Sequence, residues 1–315
     1  MNIRKSLTYC WILVLMVFMF TFPDRLLLAQ GVPAESTVPN ELRLASITAL
    51  APGVNSEDAR LALEIIMRQT IVRETYPFRM KLDFISDYNA ADTIVASGRY
   101  HFVTLTSLDY LSLIQSINLT PLMILSKQAQ PTEVLYLVAQ RGNPLEKIKK
   151  QTERILMIDH GRTGGLSRLW MDTVLWNSGY QSCDLFFTQI KAAKKTSQLL
   201  LSVFFGQADA CIISASAYTV MAELNPQIGT RLEILDRSPQ LVLLLLCATD
   251  LAEQEMRSAL LTEAVSSDTD PAVRQALLMV QMERIIPFRQ DYFSATEALV
   301  RHHQQLAAIK AKGDS

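Results

Sequence analysis

The loop at residues 159–165 combines residue types that suit the binding of an anion. It follows an apolar segment, residues 154–158, and precedes residues 166–178, where apolar side chains recur with helical spacing. Backbone N–H groups at a helix start attract anions, and glycines let the backbone approach a ligand closely. Arg162 adds a positively charged guanidinium group, which can donate two parallel hydrogen bonds to one anion. We predict an anion site at Arg162, Thr163, Gly164 and Gly165. The alternative is that Thr163 only caps the helix and the glycines only form the turn.

Histidine is the other chemically active residue type in this loop. His160 is a candidate ligand residue, and the alternative is a structural histidine held by hydrogen bonds. A metal site is not predicted, because His302 and His303 are adjacent on a helix and point to different faces. No carboxylate–histidine cluster has the spacing of metal ligands, and the sequence implies no cofactor.

Hydroxyl groups follow other apolar segments in the same way. In open α/β sheets, ligands sit beyond the carboxyl ends of the strands, so residues at those positions are candidates for ligand contact. Each hydroxyl has an alternative role as the cap of the helix that follows, for which Ser107 is one example. Asp209 is expected to cap a turn. The candidates are Thr104, Thr106, Ser107 and Tyr110 in and after the last residues of the 101–105 segment, Ser214, Ser216 and Tyr218 after residues 210–213, and Thr48 at the end of the first strand.

The first 29 residues have the three-part pattern of an export signal. Arg4 and Lys5 form a basic start, residues 11–22 are almost entirely apolar, and Ala29 offers a small residue for cleavage. The apolar stretch of about a dozen residues is shorter than the roughly 20 that span a bilayer. We predict a signal peptide at residues 1–29, a linker at 30–40 and a periplasmic protein; an uncleaved membrane anchor is the alternative.

Composition narrows the class of protein. Hydrophobic residues make up 49% of the 315-residue chain, which permits a large core and excludes disorder as the main state. The formal net charge is −1, and basic runs are lacking, so we expect no nucleic-acid partner. Three cysteines follow the predicted signal, an odd number that cannot pair completely, and we predict no structural disulfide. We also expect a monomer.

Strand-like and helix-like segments alternate along the chain. Residues 42–48, 79–85, 101–105, 133–140, 154–158, 210–213 and 241–247 read as strands, and helical periodicity separates most of them. Such alternation predicts α/β architecture, with mainly parallel sheets flanked by helices on both faces. The length suits two lobes.

Several short segments, taken in order, resemble one family. The segment Gly98-Arg-Tyr-His101 is similar to a Gly-x-x-Asp strand start, with His101 in place of the acid. Thr163-Gly-Gly165 resembles a Ser-Ser-Gly loop in which Gly164 replaces one hydroxyl, and residues 206–210 match Gly-x-Ala-Asp-Ala. Residues 232–239 and 286–292 resemble a return strand and a closing segment. Residues 40–295 therefore resemble the type II periplasmic binding proteins, in their phosphonate- and phosphate-binding branch.

The resemblance implies a two-lobed type II periplasmic-binding-protein fold and a receptor function. Lobe 1 would comprise residues 41–133 and 238–293, lobe 2 residues 134–237, and a C-terminal helix residues 294–315. Two strands would cross between the lobes near residues 132–136 and 236–240.

A small anionic ligand, phosphonate- or phosphate-like, would bind between the lobes, and the closed protein would engage the permease of an ATP-binding-cassette (ABC) transporter. One alternative is a sensory receptor that engages a membrane kinase or cyclase. A hydrolase is less favoured, because the sequence has neither a Gly-x-Ser-x-Gly elbow nor a phosphate-binding P-loop.

Overall fold

The computed structural model describes residues 41–46, 56–71, 79–85, 91–126, 129–159, 164–193, 195–267, 270–280 and 282–313. Asn40 to Ser315 form one compact unit. Within it, the described residues form one sheet of six strands and one of five, with helices on the faces of both. The predicted two-lobed α/β fold is confirmed.

Strands and helices alternate through most of the unit. The strands are β1 (Glu41–Ser46), β2 (Arg79–Phe84), β3 (Phe102–Thr106), β4 (Thr120–Ser126), β5 (Leu135–Gln140), β6 (Ile155–Asp159), β7 (Gln189–Ala193), β8 (Ala210–Ser214), β9 (Leu232–Arg237), β10 (Leu244–Ala248) and β11 (Arg284–Pro287). The helices are α1 (Ser56–Ile71), α2 (Ala91–Ala96), α3 (Ser107–Leu113), α4 (Leu145–Ile148), α5 (Gly164–Asn177), α6 (Cys183–Phe186), α7 (Thr196–Phe204), α8 (Ala215–Leu224), α9 (Gln227–Arg231), α10 (Gln254–Ser267), α11 (Pro271–Met279) and α12 (Gln290–Gly313).

The sheets are mixed, where the sequence predicted mainly parallel pairing. The six-stranded sheet has the order β11-β4-β10-β3-β1-β2, and the five-stranded sheet has the order β7-β6-β8-β5-β9. Strands β1, β2 and β3 are parallel, as are β6, β7 and β8. Strands β10 and β5 run antiparallel to both of their neighbours. Each is the first strand that the chain enters after crossing from the other sheet, so it starts at the edge where the parallel strands end.

Two connecting segments, residues 132–134 and 238–243, carry the chain between the sheets and pair with each other. The N–H of Glu133 donates to the carbonyl of Leu241, and the N–H of Leu241 donates back, both at 2.8 Å. Ser238 adds two bonds to Leu135: its N–H donates to the Leu135 carbonyl, and its Oγ accepts from the Leu135 N–H, again at 2.8 Å. The connection between the sheets is therefore a short antiparallel ladder.

The long C-terminal helix α12 is a third link between the sheets. It begins at Gln290, four residues before the start predicted for it, because Phe293 in its first turn is fully buried. Phe293 belongs to a core cluster on the six-stranded sheet, whereas Leu299 belongs to a cluster on the five-stranded sheet. The Oγ1 of Thr296 accepts a hydrogen bond of 2.9 Å from the N–H of Val242. The helix thus joins both cores and the second connecting segment.

Candidate functional site

The carboxyl ends of β3 and β8 both lie beside the connecting segments. Thr106 at the end of β3 pairs with Leu244 at the start of β10, and Ser214 at the end of β8 pairs with Leu135 at the start of β5. The antiparallel entry strands therefore bring the predicted hydroxyl-bearing residues of each sheet to the edge where the sheets are joined.

At the end of β3, Thr106 begins helix α3 with a reciprocal capping box. Its Oγ1 accepts from the N–H of Asp109 at 3.1 Å, and the Asp109 carboxylate accepts from the N–H and Oγ1 of Thr106 at 3.3 and 2.6 Å. The capping residue is therefore Thr106, and the alternative role predicted for Ser107 as the cap is wrong. A threonine followed three residues later by an acid is a recognisable capping pattern, so the sequence carries the signal for this arrangement.

The other three candidates in and after β3 make contacts within the protein. Thr104 is buried and donates to Ser46 Oγ at 2.9 Å, and Ser107 is buried and donates to the carbonyl of Val242 at 2.5 Å. Tyr110 packs edge-to-face on Phe293 with ring centroids 5.6 Å apart. Burial raises the pKa of Tyr110 to about 12. These contacts give each residue a structural role, and ligand contact by them stays a prediction.

At the end of β8, two serines and a glutamate form a chain of hydrogen bonds. Ser214 caps helix α8 by accepting from the N–H of Ala217 at 3.3 Å, and its Oγ lies 3.2 Å from Ser216 Oγ. Ser216 in turn donates to Glu133 Oε1 at 3.2 Å. Glu133 belongs to the first connecting segment and was not among the predicted residues, because nothing local relates it to Ser216. The network ties the end of β8 to that segment.

Tyr218 lies in the first turn of α8 and packs against Tyr136, whose ring also contacts Arg237. Its ring meets that of Tyr136 edge-to-face at 5.7 Å, and the guanidinium carbon of Arg237 lies 5.0 Å from the Tyr136 ring centroid. Burial raises the pKa of Tyr218. The structure thus brings Ser214 and Ser216 together but directs Tyr218 towards β5 and β9.

At the end of β6, Gly164 and Gly165 form the start of α5. A Cβ added at Gly164 would lie 2.5 Å from the carbonyl oxygen of Asp159, so only glycine fits there. A Cβ at Gly165 would lie 3.2 Å from Cδ1 of Leu108, in the first turn of α3. The starts of the two helices therefore approach each other. The predicted residues Thr48, His160, Arg162 and Thr163 lie outside the described residues.

The first turns of α5 also contain a buried hydroxyl. Ser167 is 1% exposed, and its Oγ has no hydrogen-bond partner among the described residues. The helix also starts with two glycines, residues 164 and 165, so no side chains cover the backbone N–H groups there. Backbone N–H groups at such a helix start can donate hydrogen bonds to the oxygens of a small anion.

Two matching pairs of hydrogen bonds, which we call clasps, hold the amino ends of β3 and β8. Before β8, Asp209 accepts from the N–H of Ile155 at 2.7 Å, and its own N–H donates to the Ile155 carbonyl at 3.0 Å. Before β3, His101 Nδ1 accepts from the N–H of Arg43 at 3.1 Å, and its N–H donates to the Arg43 carbonyl at 2.9 Å. The Asp209 carboxylate therefore links the start of β8 to β6, whereas it was predicted to cap the local turn, and the His101 imidazole makes the equivalent link from β3 to β1.

Each clasp is entered through a glycine in the left-handed region. Gly98 has φ +60° and Gly206 has φ +71°, and each lies three residues before the residue that closes the clasp. Positive φ is accessible to glycine without steric cost. Residues 98–101 and 206–209 thus form the same structural motif, which ends in His101 in the first sheet and in Asp209 in the second.

The chemistry available elsewhere in the described part of the chain is limited. Cys183, Cys211 and Cys247 are buried free thiols, and burial raises the pKa of each. Among the described residues, no group of three His, Cys, Asp or Glu side chains is placed to hold a metal ion. Within the same ranges, no helix has the length and apolar character needed to cross a membrane.

Comparison with known families gives the assignment. Residues 55–293 match the family described as the periplasmic substrate-binding protein of the phosphonate ABC transporter. The chain belongs to this family. Its members are periplasmic solute-binding receptors, as the ordered motifs of the sequence predicted. No curated protein sequence matches the chain at a significant level.

Several solved structures share the fold of this chain at low sequence identity. XAC2383 from Xanthomonas citri bound to ATP has a TM-score of 0.63 and 13% identity, over 86% of this chain and 99% of that chain. A phosphonate transporter binding protein from Pseudomonas aeruginosa has a TM-score of 0.59 and 12% identity, over 85% and 87%. PhnD1 from Prochlorococcus marinus in complex with methylphosphonate has a TM-score of 0.57 and 17% identity, over 84% and 98%.

Proposed function

We propose that this protein binds a phosphonate or a phosphate-like anion between its two lobes and delivers it to the permease of an ABC transporter. Family membership supports the class of ligand. The observation that carries the proposal is the approach of the α5 start, at Gly165, to the α3 start, at Leu108. The α5 start has backbone N–H groups that suit an anion, and its approach to α3 would let an anion bound there contact both lobes.

The second lobe would supply most of the anion contacts. Gly164 and Gly165 would contribute backbone amides, with Thr163 donating a hydroxyl bond and Arg162 a charge-assisted one. Ser214 and Ser216 lie beside the connecting segments, where their hydroxyls can reorient towards a bound oxyanion. On the first lobe, Thr48, Thr104, Thr106, Ser107 and Tyr110 remain candidates, and His160 is a further one in the second lobe. We further propose lobe 1 at residues 41–133 and 238–293 and lobe 2 at residues 134–237.

Ligand binding would stabilise a closed arrangement of the lobes, because only that form contacts the anion from both sides. Small-angle scattering should then report a smaller radius of gyration with saturating methylphosphonate. We also propose that the protein acts as a monomer without catalysis or a nucleic-acid partner. A signal peptide at residues 1–29 would direct its export to the periplasm.

Isothermal titration calorimetry tests the ligand. Methylphosphonate and phosphate are expected to bind, with acetate as the carboxylate comparison and sulfate as the second tetrahedral anion. Arg162→Ala and Thr163→Ala should each weaken binding about tenfold or more, the effect of losing one charge-assisted bond. Arg168→Ala is the matched control, since Arg168 lies on α5 beyond its first turn and pairs with Asp184. Unchanged affinity in both test variants would contradict the proposed site.

A further inference from the structure

A cavity of about 380 Å³ lies where the chain passes between the two sheets. We call it the hinge cavity. It is lined by Gln130, Pro131, Thr132, Glu133 and Val134 before β5, by Gln240 of the return segment, by Ala215 at the start of α8, and by Asp291, Tyr292 and Ala295 of α12. Its volume falls in the range of small-molecule sites. None of the predicted ligand residues that the structure describes is among its lining residues.

The charged side chains that line the hinge cavity are acidic. Glu133 and Asp291 contribute two carboxylates, whereas no lysine or arginine is among those lining residues that the structure describes. Glu133 is 8% exposed, and its Oε1 accepts from Ser216 at 3.2 Å. Side-chain oxygens of Gln130, Gln240 and Thr132 add further acceptors. A buried carboxylate attracts a cation more strongly than an exposed one, since less water screens it.

The rim of the cavity already binds a guanidinium group from the protein itself. Arg289 lies just before α12, and its Nε and Nη2 donate to the two carboxylate oxygens of Asp291 at 3.0 and 2.7 Å. Its guanidinium carbon lies 4.9 Å from the ring centroid of Tyr292. A carboxylate beside an aromatic face is the environment that ammonium and guanidinium groups prefer. The contact made by Arg289 shows that this geometry is available at the cavity.

We propose that the hinge cavity is a second binding site, specific for a small organic cation of the ammonium or guanidinium type. The cation contacts the carboxylate of Glu133 within the cavity and that of Asp291 at its rim, and it packs against the Tyr292 ring. Because the lining comes from both connecting segments and from α12, the bound cation touches every element that links the sheets. The cation site shares no lining residue with the anion site proposed for the cleft, and the two are linked through the hydrogen bond from Ser216 to Glu133.

Calorimetric titration with methylguanidinium tests this site, with methylurea as the neutral molecule of the same shape. Methylguanidinium is expected to bind saturably, and methylurea at least about tenfold more weakly, because only the charge differs. Glu133→Gln retains an oxygen that can accept from Ser216 and should weaken methylguanidinium binding about tenfold. Asp291→Asn should weaken it too, and Arg289→Ala should tighten it by releasing the Asp291 carboxylate.

Two control variants test whether methylguanidinium binding depends on the hinge cavity itself. Glu297→Gln removes one negative charge from α12 outside the cavity lining and should leave methylguanidinium affinity unchanged. Arg162→Ala, which affects the proposed anion site, should also leave it unchanged. Equal binding of methylurea, the absence of saturable methylguanidinium binding, or full affinity in both Glu133→Gln and Asp291→Asn would overturn the proposal.

Discussion

The clasp formed by His101 makes the stability of the first lobe depend on pH. The N–H of Arg43 is a fixed donor, so His101 Nδ1 must carry a lone pair, and the imidazole must be neutral with its proton on Nε2. Protonation would place N–H groups on both ring nitrogens and turn the 3.1 Å contact into two opposed donors. His101 is only 7% exposed, and burial lowers its pKa below the usual value.

The sign of the effect follows from this lowered pKa. In the unfolded chain, histidine binds a proton near pH 6.5, whereas the folded state resists protonation until the pH is lower. As the pH falls below about 6.5, the unfolded state therefore binds more protons, and the free energy of unfolding decreases. Stability is fully present above the unfolded pKa and lost on acidification. Between pH 8 and pH 5 the loss should be about 1–2 kcal/mol, because one histidine contributes at most about 1.4 kcal/mol for each pH unit below 6.5.

Urea unfolding followed by circular dichroism at pH 8 and pH 5 measures this loss. His101→Asn is the comparison, because its side-chain oxygen can accept from Arg43 at both pH values and does not titrate in this range. Subtracting the two pH dependences removes the contribution of the other histidines and the carboxylates. The reciprocal variant, Asp209→His, should create the same pH dependence in the second lobe. Equal pH dependence in the wild type and His101→Asn would refute the reasoning.

Three further substitutions test local features of the fold. Gly164→Ala places a Cβ 2.5 Å from the Asp159 carbonyl and should abolish methylphosphonate binding in calorimetry, whereas Gly229→Ala meets no atom within 4 Å and should leave it intact. Thr106→Ala removes the capping box and should lower the free energy of unfolding by about 1 kcal/mol, with Thr106→Ser close to wild type. Phe293→Ala leaves a cavity beneath α12 and should cost about 3–5 kcal/mol in urea unfolding; a loss below about 1 kcal/mol would contradict its role as an anchor of that helix.

Most strands and helices could be predicted from local patterns. The apolar run at residues 210–213 becomes β8, and the helical spacing at 166–178 becomes α5. Both signals are strong because β8 is buried on both faces, which gives a continuous apolar run, and α5 is buried on one face, which gives helical spacing. Strand β4 was not predicted, although its buried run Leu122 to Leu125 is an apolar segment of the length expected for a strand.

Other features are not local and could not be predicted in this way. Strand β7 lies at the edge of its sheet, and of its five residues only Ala193 is buried, so it has no apolar run. The antiparallel direction of β5 and β10 depends on the route of the chain between the sheets. The contact of Ser216 with Glu133 joins residues 83 positions apart. Long-range pairs of this kind arise from topology and leave no trace in sequence spacing.

Both lobes connect their candidate ligand residues to the segments that join them. In the first lobe, Ser107 donates to Val242, and in the second, Ser216 donates to Glu133. A ligand oxyanion that engaged either serine would compete for the hydroxyl proton now given to a connecting segment, since a hydroxyl donates only one hydrogen bond at a time. Contact with ligand would therefore alter the hydrogen bonding of the hinge directly. Under the proposed function, ligand binding and lobe closure would therefore share these atoms.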